Sequence, residues 1–197
     1  MNRTAWEKCV EFHGHICPGL ATGFKVTELA LVELGVERAQ DEELVAIIET
    51  DACGVDAVQV LAGCSVGKGN LFLRDFGKPV YTLGSRTTGR AVRVAVDRRS
   101  APDDPAMNDL RAKLGRGGGT RDERELLRQK MLALAEQILV TPAIKYCKVE
   151  FIQLDFPERA RIMKSVTCEQ CGETVMETKT RIKDGHKVCL PCAKEEK

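Results

Sequence analysis

Aromatic residues are scarce in this sequence, 5% of 197 residues with a single Trp, which argues against a surface built to stack bases. No charge of one sign prevails. Thirty Lys and Arg face 29 Asp and Glu, a formal +1, too little to advertise nucleic acid or an anionic membrane. No run approaches the ~18 consecutive apolar residues that a spanning helix needs. The opening Met1–Lys8 leads into no apolar core of an export signal. A soluble, cytoplasmic chain without a membrane partner is the expectation. With 43% hydrophobic and 30% charged residues, the chain is too apolar for a disordered protein and long enough for one medium domain with a small appendage.

Cysteine is plentiful, with nine in all. Without an export signal, metal ligation or thiol chemistry is favoured over disulfides. Cys168, Cys171, Cys189 and Cys192 crowd the C-terminal end, while Cys9, Cys17, Cys53, Cys64 and Cys147 are dispersed. That split predicts two structural units, 1–162 and 163–197.

In the first unit, Pro18 to Leu34 reads as a helix, with Pro18 suited to its first turn and Gly35 to its end. Leu44 to Glu49 reads as a buried strand, and Val55 to Leu61 as a short helix closed by Gly63. Pro79 to Leu83 and Ala91 to Val96 read as further strands, with Val92, Val94 and Val96 in alternation. Gly115 to Gly119 is a flexible connector between two helices. Leu126, Leu127, Met131, Leu134, Ala135 and Ile138 mark the second of these as amphipathic from Asp122 to Leu139. Val149, Phe151 and Leu154 suggest a last strand. The fold class is α+β, a mixed sheet flanked by helices.

The C-terminal quartet is a CxxC…CxxC pair separated by 17 residues. Zinc takes four thiolates in a tetrahedron, and each CxxC turn presents two. Val175 to Lys183 and Lys187-Val188 are expected to pair as a hairpin turning at Asp184-Gly185. So short a segment buries too little surface to fold alone, so one structural Zn²⁺ per chain supplies the stabilisation. The expectation is a zinc-ribbon or treble-clef-like finger. Lys179, Arg181, Lys183 and Lys187 cluster on its hairpin. They read as a solvated face before a phosphate-binding one, so nucleic acid is the less favoured partner.

A second dense feature is Phe12-His13-Gly14-His15-Ile16-Cys17-Pro18. If extended, it projects His13, His15 and Cys17 from one face. Pro18 places Cys17 at the N-cap of the following helix, where amides and the helix dipole favour a thiolate. Cys53, in Asp51-Ala52-Cys53-Gly54-Val55-Asp56, sits at a strand-to-helix junction. It is expected to meet Cys17 and a histidine across a crevice, making a His/Cys site for a second transition metal or a reactive thiol. Asp56 is assigned an orienting role and Lys68 the attraction of an anionic substrate. The bland alternative is that these cysteines pack and the histidines bridge backbone groups. Whether Cys64 joins the pocket stays open. Gly63-Cys64-Ser65-Val66-Gly67-Lys68-Gly69 fails as a nucleotide loop, because its spacing is one residue short and Gly69 replaces the Mg²⁺-binding hydroxyl.

Together FHGHICPGLATG, ETDACGVDAVQVLAGCSVGKGNL and the terminal CxxC pairs resemble the formylmethanofuran dehydrogenase E-subunit family in its two-domain form. The resemblance implies an α+β core, dimerisation and a His/Cys pocket suspected of holding metal. The matching positions are His13, His15, Cys17, Cys53, Asp56, Cys64 and Lys68. It also implies a partner such as a redox or molybdenum/tungsten enzyme complex, although no catalytic motif of such an enzyme occurs here. Three functions remain open. The first is a metal-binding accessory protein and homodimer. The second is an enzyme in which Cys17 acts as nucleophile or ligand, with His15, Cys53, Asp56 and Lys68 around a small anionic substrate. The third is a zinc-finger regulatory adaptor for nucleic acid.

Overall fold

The computed structural model describes residues 3–194. Met1 and Asn2, which open the segment read above as carrying no export signal, lie outside them. The chain falls into two compact units, Met1–Arg159 and Ala160–Lys197.

Unit one begins with helix α1 (Arg3–His13), followed by α2 (Pro18–Leu34), strand β1 (Leu44–Ile48), α3 (Gly54–Ala62), and strands β2 (Leu71–Leu73), β3 (Val80–Ser85) and β4 (Ala91–Val96). Helices α4 (Pro105–Gly115) and α5 (Arg121–Val140) then precede β5 (Cys147–Ile152). Pro18 and Gly35 delimit α2 as their chemistry dictates: Gly35 is left-handed and donates its N–H to the last turn. The strands form one sheet in the order β2-β1-β3-β4-β5. Only β1 and β2 run parallel, so the sheet is mixed.

Register explains the core. Ala46 lies opposite Leu83, and Leu83 opposite Val92, so these side chains share one face together with Leu44, Ile48 and Val94. Val26, Ala30 and Leu34 of α2 and Val58 and Ala62 of α3 pack on that face. Each large apolar side chain taken from water contributes about 1.5–3 kcal/mol. Outside this layer Trp6, Phe24, Met107, Leu134 and Ile138 build a second core between helices, in which Trp6 meets Phe24 edge-on at 5.3 Å. Helix α5 starts at a capping box, with Thr120 and Glu123 exchanging bonds with each other's backbone. Lys130 pairs with the N-cap of α4, Asp104, at 2.9 Å.

Three sequence expectations are revised. His13 ends a helix, so residues 13–17 are not one extended segment. The strand near Phe151 ends at Ile152, and Leu154 with Phe156 instead covers Gly84. In the second unit, Val175 to Lys183 is not one strand but two, separated by a tight helical turn at Glu177–Lys179.

That unit contains β6 (Ser165–Thr167) paired with β7 (Thr174–Met176), β8 (Thr180–Lys183) paired with β9 (His186–Cys189), and a short helix α6 (Leu190–Ala193). The β8–β9 turn has φ 51° at Asp184 and 83° at Gly185, the geometry of a two-residue type I′ hairpin. Cys168, Val188 and Cys189 form its small core.

Candidate metal centre

Helix α1 delivers His13 on its last turn. The chain then reverses at Gly14, whose φ of 88° is left-handed and open to glycine at little cost. The reversal lays the His15 ring 4.4 Å from that of His13. Cys17 follows as the N-cap of α2, its sulfur accepting the Leu20 N–H at 3.3 Å. One donor atom from each of His13, His15 and Cys17 lies within 4.8 Å of the others.

Asp56, on the first turn of α3, fixes the His13 ring. Its carboxylate can only accept, so His13 Nδ1–H donates to Asp56 Oδ2 at 2.7 Å. Gln59 Nε2 donates to the other oxygen at 3.1 Å. His13 Nε2 is left facing the Cys17 sulfur at 3.8 Å. A tetrahedral ion about 2.0–2.1 Å from nitrogen and 2.3 Å from sulfur would set them about 3.6 Å apart. The donor set therefore fits a transition metal with imidazole and thiolate ligands, and a carboxylate behind a ligating histidine is the usual support of such a site.

Cys53 reaches the same place from the start of α3. A Cβ on Gly19 would stand 3.7 Å from the Cys53 sulfur and 3.9 Å from that of Cys17, so the two thiols flank a single glycine. Bare backbone permits this approach: a Cβ on Gly23 would come within 2.3 Å of the Gly54 backbone. Cys53 itself is helical and caps nothing with its side chain.

The thiolate expected at Cys17 is corrected. Burial pushes this thiol up, the Leu20 N–H pulls it down, and the neighbouring Cys53 pushes it up again. Desolvation outweighs the helix N-terminus here, so the anionic form needs a cation beside it. Lys68 is engaged elsewhere: its ammonium donates to the carbonyls of Asp41 at 2.9 Å and Gln40 at 3.3 Å. Together with buried Asn70, which donates to Asp41 and Leu44, it pins the 65–70 turn to the chain entering β1. Cys64 is fully buried in the sheet core, its thiol pushed up to about 12 by burial.

In the second unit the four cysteines each place a sulfur within 4.8 Å of the others, and Cys171 and Cys189 stand 3.9 Å apart. A tetrahedral Zn²⁺ with bonds of about 2.3 Å requires about 3.8 Å. Backbone N–H groups of Cys171 and Cys189 hold the Cys168 thiol down at about 6, while Cys192, crowded first by Cys189, is pushed up to about 12. Such crowding of sulfurs is relieved by a cation at their centre.

Sequence reasoning missed Gln59, the Gly23–Gly54 crossing and Tyr81. Tyr81 lines, with Cys17 and Cys53, a cavity of about 660 Å³. The four-residue spacing of Gly19 and Gly23 is the one local signal of close helix approach.

Fold and sites define a class: an α+β protein bearing a His/Cys cluster, joined to a C4 zinc finger. Residues 12–148 match FmdE, of the molybdenum formylmethanofuran dehydrogenase operon, and the chain belongs to that family. Residues 161–197 match the prokaryotic dksA/traR C4-type zinc finger. A probable S-adenosyl-L-methionine-binding protein of Archaeoglobus fulgidus is 35% identical over 190 residues, 93% of this chain and 50% of that protein. The chain thus spans about half the length of that curated relative. An FmdE-like protein of tungsten formylmethanofuran dehydrogenase from Syntrophus aciditrophicus, solved at 1.90 Å, is similar with a TM-score of 0.62 and 26% identity, over 94% of this chain and 88% of that one.

Proposed function

We propose that this protein is a metal-binding accessory protein with two metal sites of different purpose. The finger holds one structural Zn²⁺ through Cys168, Cys171, Cys189 and Cys192. The core holds a transition metal through His13, His15 and Cys17, with Cys53 at the open side of the site. The observation that carries the reading is the His13 ring, gripped by Asp56 on one nitrogen and presented to Cys17 on the other. A histidine that merely packs needs no such support. The metal would supply Lewis acidity at a position facing the cavity. The chain's own residues orient the imidazole, exclude water on the buried side of Cys17 and offer a second thiol. The test is Co²⁺ substitution in full-length protein without oxygen. Thiolate-to-cobalt absorption from the core should persist in a Cys171→Ser chain and vanish when Cys17→Ser is added. Equal spectra from those two chains would refute the core site.

A second reading is favoured by the cavity itself: a thiol- or metal-dependent enzyme in which Cys17 or Cys53 faces a small substrate, with His15 as acid or base. The family name supports a partner such as a redox or molybdenum/tungsten enzyme complex. We further propose a homodimer, which light scattering at micromolar concentration tests. The cytoplasm is the proposed location; among the described residues no helix is long and apolar enough to cross a membrane. Nucleic acid is left aside: Lys187 pairs with Glu177 at 2.8 Å and Lys183 donates to the Cys192 carbonyl, which occupies part of the basic cluster. The S-adenosylmethionine binding in the relative's name belongs to a protein twice as long.

A further inference from the structure

The cavity beside the two thiols has a recognition chemistry of its own. Its volume of about 660 Å³ falls in the range of small-molecule sites. Tyr81 borders it and is 2% exposed. Its hydroxyl packs so closely on Gly54 that a Cβ there would come within 2.3 Å of it. That hydroxyl has no hydrogen-bond partner among the described residues, although a buried phenol ordinarily finds one. Met107, Leu134 and Ile138, from α4 and α5, give the cavity an apolar wall.

The rim is cationic. Arg98 and Arg111 border the cavity, both exposed. Neither has a hydrogen bond or ion pair among the described residues. Asp103 borders it too, but its carboxylate already accepts from Asn108 Nδ2 at 3.0 Å. Two unpaired guanidinium groups above an apolar wall, with an unpartnered hydroxyl beneath, form a graded site: anion, then hydrocarbon, then a hydrogen-bonding group beside Cys53.

We propose that this cavity binds a small amphipathic organic anion, its carboxylate or phosphate head at Arg98 and Arg111, its apolar body along Met107, Leu134 and Ile138, and a polar far end at Tyr81. This deepens the reading of the His/Cys pocket and rests on it only for what happens to that far end. Binding of the anion itself needs no metal. Guanidinium fixes the head because it offers charge-assisted hydrogen bonds to planar carboxylate or phosphate oxygens.

The test uses the full chain, with calorimetric titration of hexanoate, hexyl phosphate, 1-hexanol and hexylammonium, which share one hydrocarbon body and differ in the head. Hexanoate or hexyl phosphate should bind, and comparing the two identifies the preferred head. The alcohol and the ammonium should bind at least about tenfold more weakly, the equivalent of one charge-assisted bond. Arg98→Ala and Arg111→Ala lie on exposed side chains and should each weaken anion binding about tenfold without lowering thermal stability. 6-Hydroxyhexanoate should bind more tightly than hexanoate, and Tyr81→Phe should abolish that gain. Equal affinity for all four heads, or unchanged anion affinity in the double arginine variant, overturns the proposal. Metal content, measured on the same samples, separates the two claims. Full metal with no anion binding defeats only the cavity proposal, and anion binding without core metal defeats only the metal reading.

Discussion

Replacing Gly23 with alanine attacks the contact on which the whole site depends. The added Cβ would fall 2.3 Å from both the Cα and the carbonyl oxygen of Gly54. Carbon atoms rest at about 3.5–4.0 Å, so α2 and α3 must part by more than about 1 Å or tilt. Neither partner is the end of a flexible side chain, and overpacking against backbone costs about 1–3 kcal/mol. For a unit of this size each kcal/mol lowers Tm by about 2–4 °C, giving an expected loss of roughly 2–12 °C. Gly115→Ala is the control. It sits at the end of α4 with nothing within 4 Å of the added carbon, and should be neutral or stabilising by up to about 1 kcal/mol. Calorimetry reads the stability. The yield of a short bis-maleimide crosslink between Cys17 and Cys53 reads the geometry and should fall in parallel. A Gly23→Ala chain as stable as wild type, with crosslinking intact, would refute the claim that bare backbone sets the approach of the two thiols.

Other outcomes follow from the same contacts. Asp56→Asn should weaken core-metal affinity about 10–100-fold against a competing chelator, with little change in stability. Cys171→Ser should strip zinc from the finger and unfold it, while the melting of the core stays within about 1 °C, since each unit has its own apolar cluster; coincident loss of both would contradict this. Cys64, held at about 12 by burial, and Cys147, likewise at about 12, keep protons that the unfolded chain releases near pH 9. Folding is therefore favoured by this difference below pH 9 and loses the benefit as pH rises towards 12. Urea midpoints should fall across that window, and the fall should shrink in Cys64→Ala.

Much of the architecture was legible because its punctuation is chemical. Pro18, Gly35 and Gly63 delimit two helices in sequence as they do in structure, and Val92 and Val94 alternate as a half-buried strand must. Helix α1 was not legible: Trp6 and Cys9 are buried three residues apart, but charged neighbours and the lack of a capping residue hide the pattern. Strand β2 is three residues long, too short for any periodicity. In the site, the ligand types were visible and the route that gathers them was not. His13, His15 and Cys17 come together through a helix end and a reversal at Gly14. Cys53 arrives through a helix crossing whose cause, Gly23 against Gly54, joins residues 31 apart. The opposing pull of burial on Cys17 was likewise invisible, since desolvation depends on neighbours from other elements.

Elemental analysis of protein purified without oxygen tests the two-metal reading at its root. About two metal ions per full-length chain are expected, falling to about one in Cys171→Ser, with that remaining ion lost when Cys17→Ser is added. One ion per chain that disappears entirely with Cys171→Ser would contradict the core metal site.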